Sequence, residues 1–154
     1  GFVGKPKRID AKLLKEIIKE DFIPVIVPMG LDEKGIAYNI NADTAAGAIA
    51  RSIKSRRLML LTDIDGVLDN NEKLISEINT VEAKELINSE TIHGGMIPKV
   101  KTCIDAINNG VRAVVILDGR KPHSILFELF SDKGSGTLIR KWNHLILSSI
   151  GYLI

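Results

Sequence analysis

At 154 residues the chain is long enough for one domain with a packed core. Its 45% hydrophobic content and mean hydropathy of +0.11 argue against disorder, and a net charge of only +2 leaves no basic field for nucleic acid. With no signal-like segment, no apolar run of membrane-spanning length and a lone cysteine, Cys103, a soluble cytoplasmic protein without membrane or nucleic-acid partners is expected.

The opening Gly1-Phe2-Val3-Gly4 reads as the end of a strand cut from something longer. Asp10 caps a helix running to about Glu20, with Leu13, Leu14, Ile17 and Ile18 as its apolar stripe. Residues 22–28 (FIPVIVP) form a continuous apolar run short enough for a strand buried on both faces. The turn Asp32-Glu33-Lys34-Gly35 then makes a hairpin. Its second arm, residues 36–41, alternates apolar and polar, so Asn39 and Asn41 share one face. Asp43 stands where a helix N-cap belongs, and the helix runs from Thr44 to about Arg56. Two amides and a carboxylate are thereby aimed at one small volume, either as a cap with strand amides or as part of a site.

Leu58-Met59-Leu60-Leu61 is a second buried strand, ending in Thr62-Asp63-Ile64-Asp65-Gly66-Val67. Ligands of open α/β sheets collect beyond the carboxyl ends of strands, so this polar, glycine-bearing turn is a site candidate. It can take a metal through its carboxylates, take a nucleotide through its backbone, or simply be a capped tight turn. Thr80 caps a short helix with Ala83, Leu86 and Ile87 inside. The run Thr91-Ile92-His93-Gly94-Gly95-Met96 leads to Pro98 at a first helical position, which puts Lys99 in the first turn. The helix dipole disfavours a cation there. Glycine N–H groups, helix N-terminus and lysine together make an anion site suited to phosphate; the alternative is a solvated lysine after a glycine turn. His93 is a candidate base or a loop hydrogen-bonding residue. Val100, Cys103, Ile104 and Ile107 form the inner stripe of this helix, which stops at Asn109-Gly110.

Residues 113–117 (AVVIL) are a third buried strand, followed by Asp118-Gly119-Arg120 and a helix starting at Pro122 with Ile125, Leu126 and Leu129 inside. Gly134-Ser135-Gly136-Thr137 and Leu138-Ile139 close the regular pattern. Strands alternating with helices give an α/β fold, a mostly parallel sheet covered by helices on both faces.

The stretches NINADTAAGAIA, LMLLTDIDGVLD, TIHGGMIPKV, DGRKPHSILFELF and GSGT, in this order and spacing, resemble the acetylglutamate kinase branch of the amino acid kinase family, specifically its carboxyl-terminal, ATP-binding half. The resemblance runs from Gly1 to about Ile139. It implies an α/β/α sandwich lobe over residues 1–139, and ATP-dependent phosphorylation of the γ-carboxylate of N-acetyl-L-glutamate in arginine biosynthesis, with Mg2+ carried by the nucleotide. It implies that Lys99 and Asp43 are catalytic, the first stabilising the transferring phosphoryl group and the second orienting catalytic lysines. Asn39 would hold the α-substituents of the substrate. Thr62, Asp63, Ile64, Asp65, Gly66, Val67, Thr91, Ile92, His93 and Met96 would contact ATP, and no protein-held metal is implied. L-arginine is a possible effector, with His123, Glu128 and Gly134 to Gly136 as the positions to serve it, and the complete protein would be a homo-oligomer.

The family's amino-terminal half, with its glycine-rich lysine loop and substrate-binding arginine, has no counterpart in this sequence. A nucleotide-binding or arginine-sensing module without catalysis, or a related family member, are therefore the competing expectations. Residues 140–154 continue beyond the resemblance. From Trp142 onward they are apolar, as a packed helix or a non-native extension.

Overall fold

The computed structural model describes residues 2–141. The apolar segment from Trp142 onward lies outside them.

The α/β architecture expected from the sequence is present, with its strands divided between two sheets. The first contains β1 (Val3–Gly4), β2 (Met29–Leu31) and β3 (Ala37–Ile40) in the order β1-β3-β2. β1 lies parallel to β3, and β2 pairs with β3 as the two arms of the expected hairpin. Asp32 closes that hairpin by accepting the N–H groups of Lys34 at 2.8 Å and Ile36 at 2.9 Å, an Asx turn.

The second sheet contains β4 (Arg57–Thr62), β5 (Glu77–Asn79), β6 (Ala113–Asp118) and β7 (Gly136–Arg140) in the order β4-β6-β7-β5. β4 pairs parallel with β6, β5 parallel with β7, and β6 antiparallel with β7. β6 is flanked on both sides, and its residues from Val114 to Asp118 are all buried. That is why AVVIL lacks alternation. Against this sheet pack α3 (Thr80–Asn88) and α4 (Met96–Asn108), with Val100, Cys103, Ile107, Val114, Ile116 and Ile139 at the centre of the core. α2 (Ala42–Ile53) lies against both α4 and β4. α1 (Ala11–Lys19) is capped by Asp10, as expected, yet buries none of its residues.

Several local expectations are corrected. Asn41, not Asp43, caps α2, its side chain accepting the N–H of Thr44 at 3.1 Å; Asp43 is released into the first turn. Asn79, not Thr80, caps α3, in a capping box with Glu82. α4 begins at Met96, so Pro98 takes its third position and Lys99 its fourth. Residues 22–28 form no strand, and Ile23 and Val25 are 90% and 93% exposed. Pro24 and Pro28 bring no N–H to a ladder, and the run meets β3 only at its end, where the Pro28 carbonyl accepts the Ile40 N–H at 2.9 Å.

The last helix of the described residues, α5 (Ser124–Phe130), turns the opposite edge inward from the one expected. Ser124 and Glu128 are buried while Ile125, Leu126 and Leu129 are exposed. The Glu128 carboxylate accepts the N–H of Ser135 at 3.0 Å and lies 3.5 Å from the Arg57 guanidinium, and the Ser135 hydroxyl donates to the Ser124 carbonyl at 2.9 Å. Residues four apart share a helix face, so these polar partners fix which face looks in.

Candidate active site

Two helix N-termini meet because small residues let them. Gly47, one turn beyond Asp43 in α2, packs so closely on α4 that a Cβ there would lie 2.8 Å from the Thr102 methyl group, less than a turn beyond Lys99. This contact brings the Lys99 ammonium to 2.6 Å from the Asp43 carboxylate. Both side chains are largely buried, 15% and 27% exposed. The pairing answers the electrostatic problem posed by a cation near a helix N-terminus: Asp43, itself favourably placed in the first turn of α2, supplies the compensating charge. An ammonium has three donors, so two remain for a ligand.

Lys99 borders a cavity of about 580 Å³, within the range of small-molecule sites. One wall is the turn after β4, contributing Thr62, Asp63, Ile64, Gly66, Val67 and Leu68; the other is the approach to α4, contributing Thr91, Ile92, His93, Gly94, Gly95 and Met96. The structure thus brings Lys99 together with all but one of the residues expected to contact ATP. The exception is Asp65, which turns away to pair with Lys121 at 2.8 Å. Asn39 is exposed on β3, four residues before Asp43 along the continuous strand-to-helix passage, and does not line the cavity.

The helix N-terminus contributes less than its position suggests. The N–H groups of Met96 and Ile97 are engaged by the carbonyls of His93 at 3.2 Å and Gly94 at 3.3 Å, and Pro98 has none. Among the described residues, no acceptor takes the N–H of Gly94 or Gly95, and a Cβ at either would meet nothing within 4 Å. Both glycines are exposed.

Sequence reasoning missed Leu68 as a wall residue, while Gly94 and Gly95, read from the sequence as part of an anion site, line the same cavity. It also passed over the β6 terminus. There Asp118 takes two hydrogen bonds from the Arg120 side chain, at 3.0 and 2.9 Å, and one from its backbone N–H at 2.9 Å. The guanidinium, followed by that N–H, holds the Asp118 carboxyl down to about 2.

A profile of the amino acid kinase family matches residues 1–118. The chain belongs to the amino acid kinase family. Within this family it is 61% identical over 141 residues to an acetylglutamate kinase of Pelagibacter ubique, covering 92% of this chain and 49% of that protein. It is 53% identical over the same length to an acetylglutamate kinase of a Bradyrhizobium strain, covering 92% and 47%. The chain spans about half the length of the curated relatives it matches. An N-acetylglutamate synthase from Neisseria gonorrhoeae, solved with coenzyme A and L-arginine, is similar at a TM-score of 0.87 and 26% identity, over 100% of this chain and 38% of that one. A carbamate kinase from Giardia lamblia bound to AMP-PNP shares the fold, at a TM-score of 0.69 and 22% identity, over 91% and 47% of the two chains.

Proposed function

We propose that this chain is the ATP-binding part of an acetylglutamate kinase, which moves the γ-phosphoryl group of ATP to the γ-carboxylate of N-acetyl-L-glutamate to give N-acetylglutamyl 5-phosphate in arginine biosynthesis. The observation that carries the reading is the Asp43-held Lys99 ammonium on the rim of a nucleotide-sized cavity, in a chain 61% identical to such an enzyme.

A carboxylate is already a nucleophile and needs no base. Phosphoryl transfer instead needs positioning and positive charge where negative charge spreads over the equatorial oxygens. Lys99 supplies that charge through its two free donors, and Asp43 holds it in place. The apolar side chains of Ile64, Val67, Ile92 and Met96 offer a base its stacking walls, and the N–H groups of Gly94 and Gly95 suit phosphate oxygens. Asn39, with an amide that both donates and accepts, suits the α-substituents of N-acetylglutamate. Mg2+ is carried by the nucleotide in this reading. The complete protein is proposed to be a cytoplasmic homo-oligomer, with L-arginine as an effector near Glu128. The half-length match favours a second reading for the chain on its own, in which it binds nucleotide without turnover.

The test uses the Pelagibacter enzyme with its matching part replaced by this chain. Lys99→Ala should lower kcat by about 10²–10³, the loss typical of one transition-state donor, while KM for N-acetylglutamate stays near its starting value. Asp43→Asn should remove most of kcat with little change in Tm, because Asn41 does the capping. Asn39→Ala should chiefly raise KM for N-acetylglutamate. Near-normal turnover in the Lys99 variant would refute the assignment.

A further inference from the structure

We infer that Thr137 is a positioning residue for the nucleotide turn, a single hydroxyl on β7 that clasps the wall of the cavity from behind. The inference rests on the nucleotide reading of that cavity. Thr137 lies 70 positions from Val67 and is fully buried. Its oxygen accepts the Val67 N–H at 2.8 Å, and its hydroxyl donates to the Ile75 carbonyl at 2.7 Å. Val67 and Ile75 are the two ends of one excursion of the chain, and the Ile75 N–H closes it on the Val67 carbonyl at 2.9 Å. Thr137 therefore completes a ring through both ends. Only a group that gives and takes a hydrogen bond at one atom can do this.

The turn has no other way to sit so close. Gly66 has φ +151°, and a Cβ there would lie 2.6 Å from the Thr137 oxygen and 3.0 Å from the Thr137 nitrogen. Gly136 is constrained likewise, since its Cβ would collide with the Ile116 carbonyl. The sequence Gly136-Thr137 thus lets β7 lie tight against β6 and turns a hydroxyl toward the loop. Gly66 lets the loop come down onto that hydroxyl. Losing the Thr137 hydroxyl leaves a buried N–H and a part-buried carbonyl unpaired, and the cheapest relief is for the loop to lift, taking Val67 and its neighbours from the cavity wall.

The experiment measures binding of ATP with magnesium to the 154-residue chain by titration calorimetry, alongside thermal melting, for Thr137→Val and Thr137→Ser. Valine keeps the shape and loses the hydroxyl; serine keeps the hydroxyl and loses the methyl group. Thr137→Val should weaken nucleotide binding by about tenfold or more, the factor that 1.4 kcal/mol makes in an equilibrium constant, and should speed hydrogen exchange at the Val67 amide. Thr137→Ser should lower Tm yet bind ATP as the unmodified chain does. A purely structural residue would show the two effects moving together. Unchanged affinity in the valine variant, or a serine variant that loses binding as the valine one does, would overturn the inference. Should the valine variant fail to fold, the serine variant still decides. Absence of ATP binding by the unmodified chain would overturn the nucleotide reading itself, a distinct result.

Discussion

The two sheets of this molecule were written with similar apolar runs and came to opposite ends. In the four-stranded sheet, AVVIL on β6 is buried from Val114 onward, between β4 and β7 under α3 and α4. Beside the three-stranded sheet, residues 22–28 form no strand and are mostly exposed, and among β1, β2 and β3 only Ile40 is a buried apolar residue. An apolar run declares what a segment has to bury. It does not say whether a partner is at hand: β6 finds one on each side and residues 22–28 do not.

The largest expected effect exposes this difference directly. Ile116→Ala opens a cavity at the centre of the core and should cost about 2–5 kcal/mol in urea unfolding, whereas Val25→Ser, at a position 93% exposed, should change stability by no more than about 0.5 kcal/mol. Similar losses at both positions would show that residues 22–28 are packed in solution, and the contrast between the sheets would fall.

Which parts of this were legible in the sequence follows the same division. The strands β4 and β6, the hairpin at Asp32, the α4 stripe with Cys103 inside and the turns that wall the cavity could be read, because their signals are local: period, glycine, or a polar turn after an apolar run; the short strands β5 and β7 were not read. What could not be read depended on contacts distant in sequence. α5 carries a fair helical pattern of Ile125, Leu126 and Leu129, but Arg57 and Ser135 hold Glu128 inward and reverse its face. Asp65 shares its turn with Asp63, yet Lys121 draws it off the cavity. The Thr137 clasp joins residues 70 apart, and nothing near either one announces it.

A medium effect sharpens the comparison at the junction between the regions, where β3 passes into α2. Asn41→Ala removes the only side-chain cap of that helix and should cost about 0.5–2 kcal/mol, read as a lower urea midpoint. Asn41→Asp should cap as well as the native residue. A neutral Asn41→Ala would remove Asn41 as the cap of α2.

The smallest effects separate the sheets by their acid behaviour. Each has a carboxylate held below its ordinary range: Asp32 chiefly by the Ile36 N–H, with Lys34 and Tyr38 assisting, and Asp118 chiefly by the Arg120 side chain, down to about 2. The sign is the same for both. A carboxylate whose folded pKa lies below its unfolded value of 3.8 contributes stability that is complete above that value and is lost as pH falls through the folded one. The scale differs, because the Asp118 carboxylate is itself buried at the end of β6, whereas Asp32 closes an exposed hairpin that opens locally. Asp118→Asn should therefore lower the urea midpoint at neutral pH, and its gap from the unmodified chain should close as pH falls from 3.8 toward about 2. Asp32→Asn should leave the midpoint nearly unmoved and instead quicken exchange at the Lys34 and Ile36 amides. A gap for Asp118→Asn that persists undiminished at pH 2 would mean that packing, and not the ion pair with Arg120, makes this strand end stable.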